Sequence, residues 1–213
     1  MRNILIFFVA AFIIMALPLT GKAQVKPKYN YASQQKLIPA ELGVIFMGMD
    51  IKAFSQKIKI NAAEAEDRFE ELKLIIPFNK NNIEKVEVKF TGLGEEQKAK
   101  LVKTEKIVEK TEYGDLEREV KRISMPALMT AGKLYEIDIF FKEGADLKKY
   151  VVAKFGKPDE VYKKGDQYHF FDMQWTKITS DKLVWLIRYY EETRALMLAG
   201  RISGSEWGLD DIK

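Results

Sequence analysis

The sequence contains no cysteine among its 213 residues and only one histidine, His169. Without cysteine the chain has no thiol nucleophile, no redox-active thiol and no disulfide bond. A zinc site built from several Cys or His ligands is therefore excluded. His169 lies between Tyr168 and Phe170, and no GxSxG motif accompanies it. This context favours an ordinary strand histidine over a member of a Ser-His-Asp triad.

Long apolar runs are also absent, except at the N-terminus. Arg2 precedes an apolar run from Ile4 to Leu17, Pro18 interrupts it, and small residues end it at Ala23. This order predicts a secretory signal peptide over residues 1–23, with the mature chain beginning at Gln24. The run has 14 residues, whereas a membrane-spanning helix needs about 20. A retained leader that anchors the chain in the inner membrane stays as an alternative.

The predicted leader fixes the expected compartment. Export, together with the absence of a cysteine that could accept a lipid, predicts a periplasmic or secreted protein of a Gram-negative bacterium. No other segment approaches spanning length. We therefore expect no membrane span after cleavage of the leader.

The charge of the chain is small and mixed in sign. The formal net charge of +4 includes Arg2 and Lys22 of the leader, so +2 remains for the mature chain, in a sequence with 31% charged residues. Nucleic-acid binding requires a concentrated basic surface. We therefore expect no nucleic-acid partner.

Carboxylates are the one abundant group that could support catalysis. They cluster at residues 64–71, 159–160, 191–192 and 210–211. Paired acids can hydrolyse glycosides when a cleft holds them about 5–9 Å apart, and Asp159, Glu160, Asp172 and Asp181 are the acids to examine. No DxDxDG calcium loop is present. Ser33 and Lys36 match the SxxK spacing of penicillin-binding proteins, but the partner motifs SDN and KTG are missing from the sequence. The sequence predicts no catalytic, cofactor-binding or metal-binding residue.

The first part of the mature chain divides into a lead-in and an α+β subdomain. Residues 24–38 are polar and are predicted to be a flexible lead-in. In the subdomain, residues 39–120, Asp50 is expected to cap a helix over residues 51–58. Helical spacing from Ala65 to Ile76 predicts a second helix, which Pro77 ends. Residues 85–90 alternate as a strand, and the charged insertion near residues 93–122 fits either an exposed hairpin or a helix.

The second subdomain, residues 121–213, reads as a helix followed by an antiparallel meander. A strand over residues 134–141 precedes a helix that Asp146 caps and that Gly156 and Pro158 end. Three or four strands follow, around residues 160–162, 168–175, 183–189 and 194–199. Asp50-Ile-Lys-Ala-Phe and Asp146-Leu-Lys-Lys-Tyr are similar at an offset of 96 residues. This similarity predicts two related subdomains that meet near residues 115–125.

The C-terminal meander is rich in aromatic residues. Alternation along a strand sends successive side chains to opposite faces of the sheet. One face is needed for the core, and the other could expose an aromatic platform. The residues proposed as partner contacts are Tyr168, Phe170, Trp175, Trp185 and Tyr189. The alternative is that these aromatics form a second layer of core.

Three C-terminal segments resemble a known pattern of exported proteins. DLKKYVVAKFGKPDEVYKKGDQYHFF, TSDKLVWLIRYY and TRALMLAGRI are similar to the small α+β domains of the BamE (SmpA/OmlA) and β-lactamase-inhibitor-protein superfamily. The resemblance covers about residues 133–202, and GKLYEIDIFF resembles the strand before the helix of that fold. It implies a non-catalytic domain that contacts another envelope protein. The chain lacks the lipid-attachment cysteine of BamE and the disulfides of the inhibitor proteins, so no functional residue is carried over.

These observations predict an exported α+β protein with antiparallel sheets packed against helices. The expected function is a protein-binding or envelope-maintenance module whose partner is another envelope protein. A carbohydrate- or lipid-handling hydrolase with paired carboxylates is the first alternative, since it needs only acids that the chain has. A small-ligand carrier is the second, and it would require an apolar cavity between sheet and helices.

Overall fold

The computed structural model of the chain describes residues 28–58, 60, 63–68, 71–124, 131–144, 146–162 and 170–208, without the side chains of Asp67 and Arg68. The predicted signal peptide at residues 1–23 lies outside this part of the chain, as does His169. Within the described ranges, no helix is long and apolar enough to cross a membrane.

The described residues form four α-helices, one short 3-10 helix and one antiparallel sheet. The helices are α1 (Tyr31–Gln34), α2 (Ile51–Lys57), α3 (Glu95–Leu101) and α4 (Leu147–Phe155), with the 3-10 helix at Ala40–Leu42. The strands are β1 (Glu64–Arg68), β2 (Glu71–Lys80), β3 (Ile83–Thr91), β4 (Val102–Thr111), β5 (Gly114–Ile123), β6 (Lys133–Phe141), β7 (Glu160–Val161), β8 (Met173–Ile178), β9 (Val184–Tyr190) and β10 (Ala195–Gly200). The α+β class is confirmed.

One sheet of ten strands runs through both halves of the chain. Its order is β4-β5-β1-β2-β3-β6-β10-β9-β8-β7, so each half contributes five neighbouring strands. The halves join where β3 pairs with β6, with Val86 opposite Ile139 and Val88 opposite Ile137. The division into two similar subdomains stays a prediction, because the sheet and its core are continuous across this joint.

Two aspartates cap the helices that the sequence predicted. Asp50 accepts a hydrogen bond from the Ala53 amide at 2.7 Å, and Asp146 accepts one from the Lys149 amide at 3.1 Å. Such caps satisfy amides that have no partner within the helix. Gly156, at φ 81°, follows α4, as expected for a residue that ends a helix with positive φ.

The predicted helix over residues 65–76 is wrong, because β1 and β2 occupy this segment. Leu72, Leu74 and Ile76 are buried and alternate with half-buried Glu71, Lys73 and Ile75. This period of two places one apolar row against the helices. The last pair between β1 and β2 is Glu64 opposite Ile75, so at Pro77 strand β2 has a neighbour, β3, on one side only. A proline is tolerated there because its missing N–H is not needed for pairing on the open side.

The predicted flexible lead-in is also wrong for its described residues, 28–38. Gln34 is fully buried, and its amide accepts from the Met47 N–H at 2.7 Å and donates to Asp181 at 3.0 Å. The Asn30 side chain caps α1 by accepting from the Ser33 amide. A buried amide with both ends bonded holds this segment against the second half of the chain.

The segment at residues 93–122 combines both structures that the sequence allowed. The short helix α3 leads directly into β4, which forms a hairpin with β5 through ten cross-strand pairs, from Val102–Ile123 to Thr111–Gly114. We call residues 102–123 the hairpin arm. It joins the rest of the sheet at one β1–β5 pair, Glu64 opposite Arg122.

Candidate functional site

The two faces of the sheet differ in what covers them. On one face, the core face, helix residues such as Phe54 and Phe155 pack on Phe90 and Trp175, with ring centroids 5.3 and 5.7 Å apart. The other face, which we call the open face, carries a separate apolar cluster of Leu186, Met197 and Ala199. Most of its remaining residues are charged, so it carries groups that could form a polar site.

Charged side chains on the open face join β1, β2 and β3. The Lys73 ammonium lies 2.7 Å from Glu87 and 3.5 Å from Glu66, and Lys85 lies 2.8 Å from Glu87. Burial alone would raise the pKa of Glu87, but hydrogen bonds and charge from the two lysines bring its pKa below the usual value. Glu87 is therefore an ionised structural partner, already occupied by two cations.

A second ionic group lies at the centre of the open face. Lys89 is 2.6 Å from buried Glu136 and 2.9 Å from Glu206. Burial opposes the charge of Lys89, but the two carboxylates raise its pKa above the usual value. The indole N–H of Trp207 also donates to Glu136. These contacts tie residues 203–208, which we call the C-terminal clasp, onto the sheet.

Asp138 and Glu136 are the closest approach to a catalytic carboxyl pair. They lie two residues apart on β6, on the same face, and Asp138 is opposite Glu87 in the register. Burial, followed by the charge of Glu136, raises the pKa of Asp138 well above its usual value. Neither residue lines the surface cavities beside Glu64, Ile58 and Tyr150. The pair can hold a proton, but those cavities give a substrate no access to it.

Polar contacts continue to the far edge of the sheet. Arg188 donates to Gln174 at 2.7 Å, and Gln174 donates to Glu160 at 3.0 Å. The Arg188 guanidinium also lies 4.5 Å from the ring centroid of Phe171 and 5.0 Å from that of Trp207. Interactions of this kind stabilise a surface and fix the C-terminal clasp.

Most of the predicted aromatic platform is core. Trp175 and Trp185 have 0% exposure and Tyr189 has 4%. Along β8 and β9 these three side chains lie on the core face, where the large apolar side chains pack against the helices, as Trp175 does against Phe155 of α4. Phe170 is 70% exposed, and Tyr168 lies outside the described residues. The structure therefore does not bring the five predicted contacts together, and only Phe170 is an accessible contact among those described.

The four acids considered for a hydrolase do not converge. Asp159 accepts from the Thr176 amide at 2.7 Å, and Asp172 accepts from the Glu191 amide at 2.6 Å. Asp181 accepts from Thr179 and Gln34, and these bonds lower its pKa although burial opposes them. Glu160 accepts from Gln174. Each acid holds its own turn or strand end, which is a structural role.

The hairpin arm carries exposed apolar side chains that the sequence did not predict. Val108 is 58% exposed, Leu116 54%, and Tyr113, at the turn, 93%. Its backbone turn is held by the Thr111 hydroxyl, which donates to the Gly114 carbonyl at 2.8 Å, and by Gly114 at φ 119°. An aromatic at the tip of an alternating Lys/Glu segment was the sequence signal for this surface.

The surface of the described residues includes three cavities. One, of about 460 Å³, lies between β1 and the hairpin arm, beside Glu64 and Arg118. A second, of about 590 Å³, lies between the end of α2 and β2, beside Ile58 and Phe78. The third, of about 350 Å³, lies where α4 begins, against the β2–β3 turn and Tyr150. All three fall in the size range of small-molecule sites.

Metal chemistry finds no support in the described part of the chain. Its residues contain no group of three or more His, Asp or Glu side chains placed to hold a metal ion. No protein family, curated protein or solved structure matches the chain. The resemblance to the BamE and inhibitor-protein superfamily accordingly stays a prediction.

Proposed function

We propose that this chain is an exported, non-catalytic protein-binding module that uses the hairpin arm to contact another envelope protein. The leader pattern at residues 1–23 and the absence of cysteine support a periplasmic or secreted location. N-terminal sequencing of the mature protein tests the location. A chain that begins at Gln24 supports it, and one that begins at Met1 contradicts it.

The observation that carries the proposal is the exposure of the hairpin arm. Its ten-residue strands are each about 33 Å long, yet β5 pairs with β1 at one position. A two-stranded hairpin gains little stability by itself in water. Such an arm exposes Val108 on one face, Leu116 on the other and Tyr113 at the turn, and it presents main-chain groups to a partner.

The arm suits a protein partner more than a small ligand. Tyrosine is enriched among the residues that dominate binding energy at protein interfaces, and Tyr113 is the most exposed large apolar residue described. β4 is one of the two edge strands of the sheet, so its outer edge can accept a strand from another chain. Lysines and glutamates along β4 oppose indiscriminate edge-to-edge pairing. A partner with matching charges is therefore favoured over aggregation.

The two halves of the chain are, in this proposal, related units. Each contains a helix capped by an aspartate, Asp50 or Asp146, followed by an antiparallel meander, β1–β3 or β8–β10. The hairpin arm is an addition to the first unit, placed after its meander. This addition distinguishes the halves and supports its assignment as the partner-binding element.

Co-purification from an envelope extract tests the proposal. The binding variant is Val108→Thr, Tyr113→Ser and Leu116→Thr, which leaves a β-branched threonine on each strand. The matched control is Val44→Thr with Val152→Ser, because these apolar residues are also exposed but lie away from the arm. A partner retained by the native chain and the control, and lost by the arm variant, supports the proposal. A partner retained equally by all three contradicts it.

A further inference from the structure

The 350 Å³ cavity lies at the boundary between sheet and helices, away from the hairpin arm. The β2–β3 turn, the end of β6 and the start of α4 form its walls. Its lining consists of Glu41, Asn81, Asn82, Ile83, Phe141, Gly144, Asp146, Leu147 and Tyr150. Nothing in the proposed function uses this cavity.

Two aromatic rings supply one side of the cavity. The ring centroids of Phe141 and Tyr150 are 6.1 Å apart with the planes tilted by 53°. Both residues are half-buried, so their rings are supported from behind and reachable from the cavity. Burial, and then the charge of Glu41, raises the pKa of Tyr150 to about 12. Its hydroxyl therefore stays protonated and neutral at physiological pH.

The charged groups of the lining are all negative. Glu41 and Asp146 are carboxylates, and Asn81 and Asn82 are neutral carboxamides, each with an acceptor oxygen and an NH2 donor. No lysine or arginine belongs to the lining. Burial lowers the pKa of Lys154, although the charge of Glu41 opposes this shift. The Lys154 ammonium donates to the Ile38 carbonyl at 3.3 Å and lies 5.8 Å from the Phe155 ring centroid.

The turn that brings the carboxamides to the cavity is held in place. Asn81 has φ 53°, in the left-handed region that asparagine tolerates better than most residues. The Asn82 carbonyl accepts from the Lys142 amide at 2.8 Å. Asp146 keeps its position by capping α4. The cavity is thus built from fixed elements and does not require a rearrangement to form.

From this lining we propose that the cavity binds a small organic cation, an alkylammonium or guanidinium group. Aromatic faces attract such cations, and carboxylates and carboxamide oxygens accept their N–H hydrogen bonds. A free polyamine and the side chain of a lysine or arginine on a peptide carry the same chemistry. An anion would meet two carboxylates without a compensating charge in the lining, which disfavours it.

Titration of the purified chain with matched probes tests the inference. The cationic probes are 1,4-diaminobutane, as a free polyamine, and N-acetyl-lysine methylamide, as a peptide side chain. The uncharged and anionic probes of similar size are 1-butanol, glucose and butyrate. Amide chemical shifts of residues 81, 82 and 150 report occupancy. Saturable binding of either cation supports the site, and the tighter of the two identifies its source.

A charge variant separates this site from general attraction to an acidic surface. Glu41→Gln removes one carboxylate at the same size and should weaken cation binding about five-fold. Glu143→Gln is the matched control, since Glu143 is exposed near the cavity but not in its lining. Equal affinity of Glu41→Gln and native chain for the cations overturns the inference, as does equal binding of 1-butanol, glucose or butyrate. An unchanged thermal midpoint of Glu41→Gln confirms that the comparison is between folded proteins.

Discussion

The indole N–H of Trp207 donates a hydrogen bond to the carboxylate of Glu136, at the centre of the ten-stranded sheet. This contact fixes the C-terminal clasp over the apolar cluster of Leu186, Met197 and Ala199. Glu136 is also the partner of Lys89. One carboxylate therefore links β3, β6 and the end of the described chain.

Trp207→Phe removes this hydrogen bond and keeps most of the apolar contact. We expect it to lower the free energy of unfolding by about 1–2 kcal/mol, since it leaves a buried charged acceptor with one partner fewer. Amides of residues 203–208 should exchange faster with solvent, while those of β6 change little. Equal exchange in variant and native chain would show that Trp207 does not hold the clasp.

Trp175 and Trp185 are equally buried but differ in their N–H groups. Trp175 donates to the Gly156 carbonyl at 2.9 Å, at the end of α4, whereas the Trp185 N–H has no hydrogen-bond partner among the described residues. Both lose similar volume on substitution by phenylalanine. Trp175→Phe should therefore be about 1–2 kcal/mol more destabilising than Trp185→Phe. Urea unfolding of the two variants measures the difference, and the reverse order would contradict the assignment.

Asp138 gives the stability of the protein a dependence on pH. Because its pKa is raised on folding, mainly by burial, the folded state binds its proton more tightly than the unfolded state. Its contribution to stability is present at low pH and declines as pH rises from the unfolded pKa towards the folded pKa. Asp138→Asn should remove this decline. The free energy of unfolding of Asp138→Asn, minus that of the native chain, should thus rise as the pH is raised from 4 to 8, and urea unfolding at each pH measures it.

Asp181 provides the matched comparison, with the opposite sign. Hydrogen bonds from Thr179, Gln34 and the Asn30 amide outweigh burial and lower its pKa. Its stabilisation is present above the unfolded pKa and is lost as pH falls through the folded pKa. Asp181→Asn should cost about 1 kcal/mol or less at pH 7, because water screens this partly exposed group, and the cost should vanish at low pH. A cost that grows as pH falls would refute this role.

Local signals in the sequence were sufficient for much of the second half of the fold. Helix α4 begins after Asp146 and ends before Gly156, as predicted. A capping side chain and a glycine at positive φ act on a helix within a few residues, so the local sequence is enough to predict them. The apolar strands β6, β9 and β10 also lie where their composition predicted. The predicted strand over residues 168–175 starts at Met173 among the described residues.

Long-range packing decided the features that the sequence did not reveal. Ala65 and Ile76 fit a helical spacing, but pairing of β2 with β3 over seven positions favours the period of two that Leu72, Leu74 and Ile76 also satisfy. The lead-in looked polar, yet Gln34 is buried because Met47 and Asp181, far along the chain, satisfy its amide. Alternation correctly divides the aromatics between two faces, but it does not say which face the helices cover. The alternative of a core position, which the sequence left open, applies to Trp175 and Trp185.

Photo-crosslinking in living cells tests the central claim, that the hairpin arm binds an envelope protein. A photoreactive phenylalanine analogue replaces Tyr113 at the tip of the arm, and in a control chain it replaces exposed Lys182, in the β8–β9 turn. The account predicts one specific crosslinked envelope protein at position 113, absent at position 182 and lost when Val108 and Leu116 are also changed to threonine. No crosslink at position 113, or the same crosslinks at both positions, would contradict it.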